Sequence, residues 1–294
     1  MYSQIIKDFT EQELLPQSYS EDAERYFIPL VQLVINTTKE TKTPPIIGIS
    51  GAQGTGKTSL SELLENILKI EGLNVVRFSI DDFYLTKMNR QNLAQTRHPL
   101  MQTRGVPGTH DTYLLSAMLS ELINNTSKSS IGIPRFDKAL DDRSPESRWK
   151  NINLPVDLII LEGWFVGATP IAVKSLEKPI NELEATEDKD GSWRRFMAKQ
   201  LKEKYQKIFD QINLLIFLEA PSFEQVFHWR NLQEKKLRQR EPNSPGIMSE
   251  KQLMRFIQHY ERLTRHCLEI LPKKANVAYA LNKKHRIISC IGLD

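Results

Sequence analysis

The strongest constraint on this chain is the run Gly51-Ala52-Gln53-Gly54-Thr55-Gly56-Lys57-Thr58, a full match to the pattern GxxxxGK[ST]. Its flanks give it a context. Upstream, Ile46-Ile47-Gly48-Ile49-Ser50 follows Pro44 and Pro45 and reads as a buried strand. Downstream, Leu60, Leu63, Leu64, Ile67 and Leu68 recur at spacings of three and four, so a helix with one apolar face starts where the glycine loop ends. A strand, a glycine loop and a helix in that order aim several backbone N–H groups and the positive end of the helix dipole at one point. Lys57 adds a full charge there. Residues 51–58, together with Ser59, are therefore predicted to cradle an anion of polyphosphate size.

The rest of the chain must accommodate that cradle. Its 294 residues, 40% hydrophobic and 26% charged, suit one large α/β domain with a full core. A net charge of +4 is too mild and too dispersed to point to nucleic acid or a membrane, and a small anionic ligand suits it better. The two cysteines, Cys267 and Cys290, lack metal-type spacing and read as reduced thiols. No stretch approaches a membrane span, and the first residues lack the basic-then-apolar pattern of a leader. A cytoplasmic location is expected.

Residues 1–43 read as a helical segment ending in a polar run and packing against the sheet edge. After the loop's helix, Gly72 and then Val75–Ile80 give a second strand, a βαβ unit that favours a parallel sheet. Asp81-Asp82-Phe83-Tyr84 follows directly, at the strand end where parallel sheets bind ligands. A carboxylate there can face the γ-phosphate of a nucleotide held by Lys57 and take a proton from an attacking hydroxyl. Residues 104–111, Arg-Gly-Val-Pro-Gly-Thr-His-Asp, combine an irregular backbone with Arg104 and His110, groups able to hold a small polar anion, while Asp111 caps the next helix. Arg135 and Lys138 lie in a short charged strand and loop. The apolar run Val156–Leu161 reads as a central strand that ends at Glu162, placed to share a Mg²⁺ ion with the Thr58 hydroxyl. Residues 165–193, with two prolines and an acidic run, read as a surface insertion. Residues from about 222 to 248 carry a basic helix with Arg230 and Arg238, read as a lid over the phosphates.

Taken together, GAQGTGKT, SIDDFYLT (79–86), RGVPGTHD (104–111), PRFDKALDDR (134–143), LEGWFVG (161–167), PINELEATEDKDGSWR (179–194) and WRNLQEKKLR (229–238) resemble the P-loop kinases of the phosphoribulokinase, uridine kinase and pantothenate kinase group. Within that group the sequence is most similar to the D-glycerate 3-kinase type. The resemblance implies a single P-loop NTPase-fold domain over residues 1–294, with a parallel sheet, helices on both faces and a helical lid. It implies Asp81 as the group that deprotonates or orients the substrate hydroxyl, with Asp82 still open for that role or as help to the metal, and a lid role for Arg230 and Arg238. It makes Arg104 and His110 candidates for the carboxylate and hydroxyl of glycerate.

The expectation is thus a kinase that uses ATP and Mg²⁺ to phosphorylate a hydroxyl of a small acid, D-glycerate giving 3-phosphoglycerate, as a monomer or small homo-oligomer. Lys57, Asp81, Asp82, Arg230 and Arg238 are the expected catalytic groups. Thr58, Glu162 and Asp81 are the expected metal site, and Arg104, His110, Tyr84, Arg135 and Lys138 the acceptor site. A uridine- or pantothenate-like acceptor is the alternative. A GTP switch is disfavoured because Asn282-Lys283-Lys284-His285 has His where a guanine reader needs Asp. A motor ATPase is disfavoured because Glu162 is followed by Gly163 instead of a second acid.

Overall fold

Strand β1 (Ile46–Gly51) is buried along its whole length, as its isoleucine-rich run requires. It pairs in parallel with β3 (Leu158–Gly163) on one side and with β4 (Ile212–Glu219) on the other. Outside these, β2 (Val75–Ser79) joins β3 and β5 (Val277–Leu281) joins β4, both in parallel, and β6 (Ile287–Ile291) closes one edge antiparallel to β5. The order is β6-β5-β4-β1-β3-β2. The computed structural model describes residues 1–124, 129–240 and 248–293, with the side chains of 236–240 left aside.

Alternate residues of these strands point to opposite faces, so each strand feeds two cores. One face gathers Ile47, Ile49, Leu158, Ile160 and Ile216 under the helix Lys57–Ile70 (Leu60, Leu64) and part of the helix Phe223–Arg240 (Val226, Trp229). The other gathers Val76, Phe78, Ile159 and Leu161 against Leu115 and Leu119 of the helix Thr112–Asn124 and Leu263 and Cys267 of the helix Glu250–Lys274. The expected α/β architecture, a mostly parallel sheet with helices on both faces, is what forms. No helix among the described residues is long and apolar enough to cross a membrane.

Register decides where the chemistry collects. Ile49 and Ser79 both stand opposite Glu162, so the ends of β1, β2 and β3 lie side by side and deliver the glycine loop, Asp81 and Glu162 to one rim.

Two expectations need correction. Residues 1–43 do not merely abut the sheet edge: Phe27, Leu30, Val31 and Val34 are buried with Ile47, Ile49 and Tyr279 on a sheet face. Asp22 ties this segment to the β5–β6 hairpin by accepting from the Arg286 guanidinium at 2.9 Å and from the Ile287 amide at 3.1 Å. Residues 165–193 are not a surface insertion either. Leu176, Leu183, Glu184, Asp188 and Trp193 are buried, because the acidic run has internal cationic partners. Asp188 accepts from Arg194 at 2.8 Å, and Glu184 accepts from Arg262 at 2.8 Å and from the Ile180 amide at 3.0 Å. Both partners of the Glu184–Arg262 pair are almost fully buried, so removing one strands the other in a low dielectric. Glu184→Ala is expected to cost about 3–5 kcal/mol, read from the shift of the urea midpoint. A loss below about 1 kcal/mol would show the pair to be solvated.

Candidate active site

The phosphate cradle depends on two left-handed glycines. Gly54 and Gly56 have φ of +84° and +89°, a region closed to most side chains, and the helix begins at Lys57 immediately after them. Thr55 Oγ1 donates to the Ala52 carbonyl at 2.9 Å and fixes the turn. A Cβ at Gly54 would stand 2.9 Å from the Trp229 side chain, so the helix Phe223–Arg240 packs directly on the loop.

Two hollows meet at this loop. One, of about 340 Å³, is largely apolar and is walled by Leu60, Trp229, Leu281 and Ile287, with Leu15, Tyr19 and Phe27 from the N-terminal segment. His285 stacks on Trp229 at 4.1 Å there, and its Nε2 lies 2.8 Å from the Gly54 carbonyl. The other, of about 420 Å³, holds Gln53, Gly54 and Gly56 to Ser59 on one side, and Asp81, Tyr84, Arg104, Lys138, Trp164 and Tyr260 on the other. A flat, weakly polar group suits the first hollow, and a phosphate chain with a small polar partner suits the second.

Asp81 and Asp82 part company in a short 3₁₀ turn, Ile80–Phe83. Asp82 Oδ2 accepts from the Ser79 amide at 3.1 Å in a capping box, and Asp82 is not part of the cavity wall. Burial holds its carboxyl above the usual range despite that amide. Asp81 faces the cavity, where its Oδ1 accepts from the Tyr84 hydroxyl at 2.7 Å and its Oδ2 lies 3.2 Å from Lys138 Nζ. Burial works against its charge, but Lys138 and the Tyr84 hydroxyl outweigh it and hold the carboxyl below its ordinary value. Asp81 is therefore ionised at neutral pH.

The third rim carboxylate, Glu162, is buried, and both its oxygens lie 3.1 Å from the Thr58 hydroxyl. Burial raises its pKa, Lys57 lowers it and neighbouring Asp81 raises it again. Hard oxygen donors with unbalanced negative charge, next to the phosphate cradle, fit Mg²⁺. Thr58 and Glu162 are the residues that would hold it, with Asp81 nearby.

The loop 104–111 is irregular but rigidly supported. Tyr260 donates to the Arg104 carbonyl at 2.7 Å, Trp164 Nε1 to the Gly105 carbonyl at 3.0 Å, and the Gly108 amide to the Tyr205 hydroxyl at 2.9 Å. Arg104 pairs with Asp141 and lies over the Phe136 ring at 5.5 Å, which leaves it aimed at the cavity. His110 does not reach the cavity. It is only 4% exposed, its ring packs tilted against Tyr84 at 4.5 Å, and its Nδ1 lies 2.8 Å from the Tyr205 hydroxyl. The Gly108 amide donates to the same hydroxyl, and burial pulls the His110 pKa down to about 4. His110 is a neutral support for Tyr84.

Arg135 is exposed, with its charge near Asp82, and does not line the cavity. Arg230 does line it, held 2.9 Å from the buried Glu234. The side chain of Arg238 lies outside the described residues. Trp164, Phe256 and Tyr260 also line the cavity and Tyr205 braces the loop, and none of the four was expected in the site. The signal available was the loop itself, since two glycines and a proline cannot hold a cation in place without outside support.

The model of the phosphoribulokinase / uridine kinase family matches residues 46–178, from β1 through the Asp81 turn and Glu162. A kinase of Schizosaccharomyces pombe, "Uncharacterized kinase mug58", is 34% identical over 249 residues, 78% of this chain and 87% of its own. This chain belongs to the phosphoribulokinase / uridine kinase family. It is similar as well to the chloroplastic D-glycerate 3-kinase of Arabidopsis thaliana, 26% identical over 80% of this chain and 52% of the relative. The solved D-glycerate 3-kinase of Cryptococcus neoformans superposes with a TM-score of 0.74 at 26% identity, over 89% of this chain and 97% of that one. As a P-loop kinase of this family the protein is an ATP-dependent small-molecule phosphotransferase, and membership implies ATP with, usually, Mg²⁺.

Gly105 offers a sharp check on the loop's support. Its φ is +122°, and a Cβ there would come 2.3 Å from the Tyr260 hydroxyl. Gly105→Ala is expected to lower kcat/KM for the acceptor about 10²-fold or more while ATP binding, read by titration calorimetry, stays unchanged. Equal losses in both would place the loop's role in the nucleotide site.

Proposed function

We propose that this kinase transfers the γ-phosphoryl group of ATP to a hydroxyl of a small hydroxy acid, with D-glycerate, giving 3-phosphoglycerate, as the best-supported acceptor. The observation that carries this reading is the sharing of one cavity by Lys57 and the glycine-loop amides on one side and by ionised Asp81, Arg104 and Lys138 on the other. A phosphate chain accounts for the first set. A carboxylate beside two cations, each of which already has a carboxylate partner, suits an acceptor that brings both an anionic end and a hydroxyl.

The residues divide the work as follows. Residues 51–59 hold the phosphates, with Lys57 at the β- and γ-positions and the apolar hollow beside Trp229 taking the base. Arg104 holds the acceptor carboxylate, and Lys138, beside Asp81, shares that charge. Asp81 accepts the hydrogen bond of the acceptor hydroxyl and takes its proton as the oxygen–phosphorus bond forms and the bond to the ADP oxygen breaks. A carboxyl held below its usual pKa is a weak base. It suffices where the transition state is loose and orientation matters more than prior deprotonation. Tyr84, steadied by His110, fixes the Asp81 rotamer. Thr58 and Glu162 would hold Mg²⁺, which would supply charge neutralisation on the phosphates. Arg230 adds positive charge from the lid side.

Similarity to two D-glycerate 3-kinases supports the acceptor assignment. Turnover with Mg-ATP and D-glycerate, uridine or pantothenate tests it: the reading expects turnover with D-glycerate above the other two, and a preference for either of those would overturn it. Asp81→Asn is expected to lower kcat by about 10²–10⁴-fold while leaving ATP affinity intact. Near-normal turnover in that variant would remove the proton-acceptor role.

A further inference from the structure

A second polar hollow, of about 470 Å³, lies directly beside the acceptor cavity. Among the described residues, their linings have only Arg104 and Phe256 in common. Arg104 is fixed by Asp141, by the Phe136 ring and through its own carbonyl by Tyr260. Phe256, on the helix Glu250–Lys274, is half-buried and rests against the Tyr260 ring at 5.0 Å. Beyond it the wall carries Gln102, Thr103 and the Arg255–Glu187 pair, whose nearest oxygen and nitrogen are 2.5 Å apart. These are hydrogen-bonding groups of both signs.

We propose that Phe256 is the partition that sets the upper length of the acceptor. An acid anchored by its carboxylate at Arg104 and by its hydroxyl at Asp81 fits on the near side of the ring. A longer polyhydroxy chain would have to pass the ring to reach the amide, hydroxyl and charged groups beyond, which suit its hydroxyls. The inference rests on the acceptor reading given above and adds to it a specificity-determining residue: with Phe256 cut back, the two hollows join and the enzyme accepts longer aldonic acids. Arg104 and Asp81 themselves are unchanged, and the Tyr260 hydroxyl that holds the Arg104 carbonyl remains, so the chemistry is kept while the size filter is lost.

The test compares the wild type, Phe256→Ala and Phe256→Leu on aldonic acids of three, four and six carbons with Mg-ATP, alongside KM for ATP and thermal melting of each protein. For the wild type, kcat/KM is expected to fall about 10²-fold from the three-carbon to the six-carbon acid. In Phe256→Ala that fall should shrink at least about tenfold, chiefly through a lower KM for the longer acids, with KM for ATP unchanged. Phe256→Leu, a milder change to the core, should lie between the two and carries the test if the alanine variant melts early. Wild-type length preference retained in both variants, with turnover of the three-carbon acid intact, overturns the partition. A wild type that binds ATP but phosphorylates none of the acids overturns the acceptor reading and the partition with it.

Discussion

The site depends on how charge is balanced at one rim of the sheet. Five parallel strands and a glycine loop bring a lysine, a row of amide donors and two acidic side chains, Asp81 and Glu162, to the ends of β1, β2 and β3. Left alone, the two carboxylates repel each other, and burial penalises both. Their partners keep them different. Lys138 and Tyr84 keep Asp81 ionised and fixed in direction, while Glu162 has the Thr58 hydroxyl and stays under-compensated. One is thereby suited to a proton and the other to a cation. The separation of roles comes from environment, since the two residues are chemically near-identical.

The acceptor side is built on a different basis. A loop with a fixed but irregular backbone is held by aromatic hydroxyls and an indole N–H arriving from three separate elements, so Arg104 points into the cavity before anything binds. Preorganisation of this kind removes an ordering cost from the transfer step. It also explains why His110, although buried and uncharged, matters: it braces the tyrosine that aligns Asp81.

Much of this was legible in the chain. The glycine loop declares itself because its requirements are local: left-handed glycines, a lysine at the helix start, an apolar strand before it. Glu162 and Asp81 were legible because strand ends in a parallel sheet share a rim. What was not legible depended on distant partners. Asp81 and Asp82 are adjacent and alike, and only the capping box at Ser79 turns the second away from the cavity. His110 meets Tyr205, 95 residues later, and so sits behind the wall. The acidic run at 182–188 suggested solvent, yet Glu184 meets Arg262 in the far helix and is buried by it. In each case a polar residue's partner lay outside any window over which periodicity or composition is informative.

In the proposed reaction the phosphate held at Lys57 is handed to an organic hydroxyl and not to water. The most direct measurement follows ADP and phosphorylated acceptor together in the presence and absence of D-glycerate, with Mg-ATP. We expect ADP to appear in a one-to-one ratio with 3-phosphoglycerate and almost none to appear without the acid. Steady ADP and free phosphate release whether or not D-glycerate is present would contradict the account.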